Sequence, residues 1–286
     1  MNPTRLDLLA ALVAALTASP ACGPTDADAG EGTARFQIWG EEYIEQGVPA
    51  DVFEDGWRVT FSKFILVVGD VTIADAAGAL GGGIPGAQVL DLVRPGPHVL
   101  GEAIRLPAQP WPRVGYSIPR VPAASALHAT ASEADRAALD GRHAVHVEAT
   151  ATGPAGEQRR FSWSFDRGTR YRDCVQVLET SERAGIVVAN GGSESVELTI
   201  HGDHFFYDDL AAETARVRFQ PIADADADGD GEVTQAELAA VRLVDLPPGT
   251  YGTGAADVDD LGAFIAAQVA TLGHFRGEGH CVAEPL

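Results

Sequence analysis

The most regular feature of the chain is an alternation of hydrophobic and polar positions between residue 34 and about residue 207. In one segment Phe161, Trp163 and Phe165 are separated by serines, so all three would face the same side of a β-strand. Short segments of this kind follow one another closely and are separated by glycine and proline. This spacing predicts a mainly β protein in which residues 34–207 form a β-sandwich.

Three details of this region can be predicted more closely. The segment 79–86 is rich in glycine and is expected to be a turn before a short strand at 88–93. A single helix is expected at 132–139, with Ser132 as its cap. The last strand of the region is expected to run from Ser195 to Phe206.

The pattern changes after residue 207. From Val258 to Leu272 hydrophobic residues recur at three- and four-residue steps, which predicts a helix with one apolar face. We expect this helix to dock on the sandwich or against the helix that leaves the acidic loop described next. The C-terminal part is therefore divided into an acidic-loop segment at 208–245 and a helix with a tail at 246–286.

The acidic loop runs from Asp226 to Glu237 and is the most specific motif in the chain. Oxygen donors occupy its first, third, fifth and twelfth positions, and glycine occupies the sixth, where the chain must turn sharply. This pattern resembles the EF-hand calcium loop. The resemblance implies that a calcium ion is bound by Asp226, Asp228, Asp230 and Glu237, with Glu232 contributing its backbone carbonyl.

The residues around the loop are those of an abbreviated EF-hand. Thr234 and Glu237 form a capping-box sequence at the start of the exit helix. Pro221 lies five residues before the loop and restricts the entering helix to about 221–225. The sequence contains no second copy of the loop, so the calcium is expected to be structural. The alternative is a solvated acidic turn that binds no ion.

The first residues have the pattern of an export signal. Arg5 precedes an apolar run at 8–18, which is too short to span a bilayer, and small residues lead to Cys22. This arrangement resembles a bacterial lipoprotein signal, which implies a signal peptide at 1–21 and lipid attachment at Cys22. Residues 22–33 are small, polar and acidic, and are predicted to be a flexible tether between a membrane and the folded domain. Simple secretion is the alternative.

The two remaining cysteines fit an exported protein. If Cys22 carries lipid, Cys174 and Cys281 are left as a pair, and an oxidising compartment would allow them to form a disulfide. Two unpaired thiols are the alternative. The protein is thus predicted to be a calcium-binding lipoprotein of the cell envelope, held to the membrane by its lipid.

Charge and missing motifs exclude other classes. The formal net charge is −21 and the isoelectric point is near 4.6, so nucleic acid is not an expected partner. The sequence contains no nucleophile elbow, phosphate-binding loop or zinc-protease motif, and we predict no catalytic role. A hydrolase on the same scaffold is left open, because a fold does not fix a function.

A second metal chemistry is kept as an alternative. The chain contains His201-Gly-Asp-His204, and His274 and His280 lie near Cys281. If the disulfide does not form, Cys281 together with histidines could hold a transition metal. His143 and His146 are three apart in an expected strand, would point to opposite faces, and are not expected to share a metal. The strand pair at 59–71 and the later segment at 106–118 resemble, in their order, the β-sandwich of periplasmic copper-binding proteins associated with methanobactin. The resemblance implies copper or transition-metal handling. A surface adhesion or interaction module is the third alternative, with no partner indicated.

Overall fold

In a computed structural model, residues 30–211 and 215–286 are described, and they form a mainly β protein. The predicted signal peptide, Cys22 and most of the predicted tether lie outside the described residues. The strands are β1 Glu31–Trp39, β2 Arg58–Ala74, β3 Leu80–Asp91, β4 His98–Pro107, β5 Pro110–Trp111, β6 Arg113–Ile118, β7 Ala126–Leu127, β8 Val145–Thr152, β9 Gln158–Phe165, β10 Thr169–Leu178, β11 Ser181–Ala184, β12 Ile186–Val187, β13 Ser193–Ile200, β14 Gly273–Phe275 and β15 His280–Pro285. The helices are α1 Glu41–Glu45, α2 Glu133–Ala138, α3 Gln220–Ala223, α4 Gln235–Ala240 and α5 Leu261–Gln268.

Two large sheets make up the body of the molecule. One has the order β14-β13-β1-β4. The other has the order β11-β10-β6-β2-β3-β7. It is extended by β15, which pairs with β10, and by β8, which pairs with β2 and carries β9 on its other side. Residues from both sheets, among them Phe36, Leu66 and Val196, belong to one buried hydrophobic cluster. The shared core agrees with the expectation of packed sheets.

The glycine-rich segment is a strand and not the turn that its composition predicts. Residues 81–83 lie within β3 and pair with β2. Their lack of side chains makes room for the neighbouring strands: a Cβ atom on Gly81 would lie 2.3 Å from the Trp111 ring, and one on Gly82 would lie 2.5 Å from Ile104. Glycine is needed here for close packing, which local sequence cannot reveal.

The ends of the sandwich also differ from the predicted boundaries. β1 begins at Glu31, inside the predicted tether, because its first residues pair with β4. The tail after residue 272 supplies β14 and β15, so the C-terminal segment is part of both large sheets. The strand at 98–107, which the sequence pattern did not indicate, is β4, at an edge of the first sheet.

The helices α2 and α4 follow their sequence signals, but α1 is a second helix in a region where only one was expected. Ser132 caps α2 through a capping box, as predicted. The C-terminal helix is shorter than the apolar pattern, because Asp260 caps it and α5 begins at Leu261. It packs against α4, where Gly262 lies close to the backbone of Ala239. In the part of the chain that is described, no helix is long and apolar enough to cross a membrane.

Candidate metal centre

Two histidines of the candidate site come from the end of β13. The strand stops at Ile200, and a single 3₁₀ helix follows from Gly202 to Phe206. Residues three apart eclipse one another on a 3₁₀ helix. His201 is the extended residue that caps this helix and His204 lies in its first turn, and their ring centroids are 5.3 Å apart. A strand continued to residue 206, as predicted, would have pointed them to opposite faces.

The third histidine arrives from far along the chain. β14 pairs antiparallel with β13 and places His274 opposite Thr199. The His274 ring stacks on that of His201 at 4.0 Å between centroids, with an angle of 10° between the planes. It also meets His204 edge to face, with centroids 5.0 Å apart. The local sequence does not indicate this contact, because the contact depends on the pairing of strands more than seventy residues apart.

The three imidazoles offer nitrogen atoms that lie within 4.8 Å of one another. Among the described residues, His201 Nε2 and His274 Nδ1 are buried and have no hydrogen-bond partner. His204 Nδ1 lies 2.8 Å from Thr271 Oγ1, which orients the ring and leaves Nε2 for another role. Histidines that bind metals are commonly held in this way through their second nitrogen. The arrangement has the donors of a three-histidine metal site.

Burial keeps these imidazoles neutral. It lowers the pKa of His201 to about 4. It also lowers the pKa of His274 to about 4, with a further contribution from His201. The pKa of His204 falls to about 2, first through burial and then through the two neighbouring histidines. A neutral imidazole has a lone pair to give, so all three can act as ligands at neutral pH.

Carboxylates lie close to two of the histidines, Glu41 to His201 and Glu278 to His274. Glu41 Oε2 lies 3.4 Å from His201 Nε2 at the edge of a pocket of about 340 Å³, which Glu42 and Glu278 also line. Burial, followed by repulsion from Glu278 and other carboxylates, raises the pKa of Glu41 to about 7. Burial also raises the pKa of Asp203 to about 6. The surroundings therefore favour a positive ion.

The predicted disulfide is present and secures the strand that carries His274. Cys174 on β10 is bonded to Cys281 on β15. A short turn joins β14 to β15 and is closed by the hydrogen bond from Phe275 N to Gly279 O. The Cys174–Cys281 disulfide thus fixes β15 and the turn before it to β10 of the second sheet. It also removes Cys281 from the candidate metal ligands that the sequence suggested.

The structure brings together part of the predicted calcium loop. Oxygens of Asp226, Asp228 and Glu237 lie within 4.8 Å of one another. Asp230 is not in that group, and its Oδ1 accepts a hydrogen bond from the backbone N–H of Glu232. The capping box of Thr234 and Glu237 forms, and the entering helix α3 is a single turn. The backbone features of the loop therefore follow the sequence prediction, while calcium binding itself stays a prediction.

The loop is docked on an edge strand of the second sheet. The N–H of Arg160 on β9 donates to Gly231 O, and the N–H of Val233 donates to Arg160 O, both at 2.8 Å. Trp163 Nε1 also donates to Val233 O. Arg159 Nε lies 3.1 Å from Asp226 Oδ2. The strand thus supports the loop directly, and Arg159 already neutralises part of its charge.

The other histidines named from the sequence are not brought to this site. His146 Nδ1 lies 2.7 Å from Ser164 Oγ on the neighbouring strand. His143 is partly buried near α2, and His280 is exposed on β15. Neither His143 nor His146 belongs to a group of three or more possible metal ligands among the described residues.

Comparison with known proteins adds one weak likeness. No family model matches the chain, so the EF-hand resemblance has no support from a family match, and no curated protein is similar. Among solved structures, MbnP from Methylosinus trichosporium is similar over 62% of this chain and 77% of its own, with 14% identity and a TM-score of 0.31. The sequence resemblance to methanobactin-associated proteins thus has a faint structural counterpart, but a likeness this low indicates nothing about function.

Proposed function

We propose that this chain is an exported protein that binds one transition-metal ion at His201, His204 and His274. The observation that carries the proposal is the convergence of three imidazoles, two buried and one half-buried, of which two present nitrogens without a hydrogen-bond partner among the described residues. Nitrogen donors of this kind suit copper, zinc and related ions. A role in holding or delivering such an ion is the function that fits this site best.

The energetics support a ligand role over a purely structural one. A buried polar atom without a partner costs about 1–3 kcal/mol, and the cluster contains two such atoms. An apolar side chain in either position would avoid that cost. The neutral state of the rings and the orienting contact from Thr271 are what a metal ligand requires.

The proposed location is the cell envelope. A disulfide persists in an oxidising compartment, and the Cys174–Cys281 bond favours export. The predicted signal peptide at 1–21 and lipid anchor at Cys22 belong to this part of the proposal. A β-sandwich held near a membrane by a tether would present the three-histidine site to the space outside the cytoplasm.

A calcium ion in the acidic loop is the second candidate. The docking of the loop on β9 favours it, because the strand gives Val233 a backbone partner and the loop has no second EF-hand to pair with. Asp226, Asp228 and Glu237 would supply side-chain oxygens, with Asp230 and the Glu232 carbonyl as predicted ligands. Calcium would be a structural ion in an extracytoplasmic protein.

Metal titration of the purified full chain tests the proposed function. Copper and zinc are added in competition with a chelator of known affinity, and bound metal is counted per chain. We expect one high-affinity transition-metal ion, and we expect His204→Ala to abolish its binding. His280→Ala is the matched control, since it removes an exposed histidine from β15, and it should bind normally. Equal binding by wild type and His204→Ala would refute the site.

A further inference from the structure

The carboxylate of Glu41 lies close to the histidine site without forming a hydrogen bond to His201 Nε2. Its Oε2 atom is 3.4 Å from His201 Nε2, yet that nitrogen makes no hydrogen bond with any described residue. The two atoms are therefore close without being bonded to each other. Two ligand atoms about 2.0–2.2 Å from one tetrahedral ion lie about 3.3–3.6 Å apart. The observed separation is the one that two ligands of the same ion would have.

The approach of Glu41 is set by its backbone. It follows Gly40 at the end of β1 and has a φ of 53°, in the left-handed region that glycine tolerates better. Its side chain is 26% exposed, and it lines a pocket together with Glu42 and Glu278 while its Oε2 atom approaches His201. The Glu41 carboxylate is not part of the group of three nitrogens that lie within 4.8 Å of one another. Its side-chain torsions would have to change for it to bind the same ion as all three histidines.

The charge around the pocket is one-sided. The described residues that line it are Trp39, Glu41, Glu42, Tyr43 and Glu278, and none of them is basic. The electrostatic field of these carboxylates therefore attracts cations to the pocket that Glu41 lines, and it acts twice as strongly on a divalent ion as on a monovalent one. A carboxylate oxygen is also a harder donor than imidazole or sulfur, and it suits divalent ions better than Cu⁺.

We infer that Glu41 is the fourth ligand of the histidine site and that it makes the site selective for a divalent first-row ion, Zn²⁺ or Cu²⁺, over Cu⁺. The inference rests on the proposed function, because it needs the three histidines to bind metal. It adds the ligand that sequence reasoning did not single out, and it assigns the class of ion.

The test compares two substitutions that remove the same charge from the same pocket. Affinities of the full chain for Zn²⁺ and for Cu⁺ are measured by chelator competition in wild type, Glu41→Gln and Glu42→Gln. Glu41→Gln is expected to weaken Zn²⁺ binding by about tenfold or more, as loss of a direct ligand should. Glu42→Gln is expected to weaken it by less than about threefold, and Cu⁺ affinity should change by less than about threefold in both variants.

Each other outcome has a distinct meaning. Equal losses of Zn²⁺ affinity in both variants would show that Glu41 acts only through charge, which overturns the inference. Equal losses of Zn²⁺ and Cu⁺ affinity in Glu41→Gln would overturn the selectivity. If wild type binds neither ion, the proposed function itself fails. If wild type binds both and only the Glu41 comparison fails, the three-histidine site stands and the inference does not.

Discussion

A change of pH distinguishes the buried histidine site from an exposed one. An exposed imidazole titrates near pH 6.5, so at about pH 5.5 it is free of its proton in about one molecule in eleven. An ion that needs three such nitrogens at once would lose about a thousandfold in affinity relative to pH 7.5. Here burial lowers the pKa values of His201 and His274 to about 4 and that of His204 to about 2. All three therefore remain neutral, and proton competition should reduce affinity by less than about twofold.

Carboxylates near the site add a smaller effect of the same sign. The pKa of Glu41 is raised to about 7 and that of Asp203 to about 6, so both take up protons between about pH 7.5 and 5.5. Glu278 also faces the pocket. Each negative charge lost weakens the attraction for a cation by a few fold. The expected total loss for Cu⁺, which does not need the Glu41 carboxylate, is less than about tenfold.

The assay is a Cu⁺ competition titration of the full chain at several pH values, with a chelator calibrated at each of them. Glu41→Gln serves as a control, because it removes the titration of that carboxylate and leaves the histidines in place. A fall in Cu⁺ affinity of about a hundredfold or more by pH 5.5 would refute the reasoning. It would mean that the imidazoles take up protons as exposed histidines do.

Three further predictions concern the fold and the acidic loop. Replacing both Cys174 and Cys281 with serine removes a cross-link between residues 107 positions apart, and urea denaturation should show a loss of about 5 kcal/mol; a loss under about 1 kcal/mol would contradict this. In thermal melts, calcium should raise the midpoint of wild type but not of Glu237→Gln, whose β region should remain folded; no calcium shift in wild type would sink the calcium proposal. Gly81→Val should lower the free energy of unfolding by about 1–3 kcal/mol because the new side chain would overlap Trp111. An unchanged urea midpoint would contradict this and show that β3 and the Trp111 side chain can move apart to accommodate the valine.

Several elements of the fold can be predicted from local sequence patterns. The alternation at Phe161, Trp163 and Phe165 predicts β9, and all three side chains are buried. Ser132 and Thr234 start their helices through capping boxes that short-range sequence specifies. Counting cysteines was enough to predict the disulfide, because only one pair remained once Cys22 was set aside. These features depend on residues that are close together in the sequence or on the number of cysteines.

The candidate metal site depends on features that short-range patterns do not contain. His201 and His204 meet because β13 ends before them and a 3₁₀ helix begins, which the hydrophobic run through Phe206 conceals. His274 joins them through the pairing of β13 with β14. Glu41 arrives from the other end of the chain, after β1. The His-Gly-Asp-His sequence was a usable signal for two ligands, but only the assembled sheet shows the third ligand and the carboxylate.

The most direct test of a transition-metal role is the metal content of the full chain purified without added metal from a host grown in ordinary medium. Elemental analysis of wild type should find close to one copper or zinc ion per chain. The same analysis of a His201→Ala, His204→Ala double variant should find none. Wild type that carries no transition metal, or a double variant that carries as much as wild type, would contradict the account.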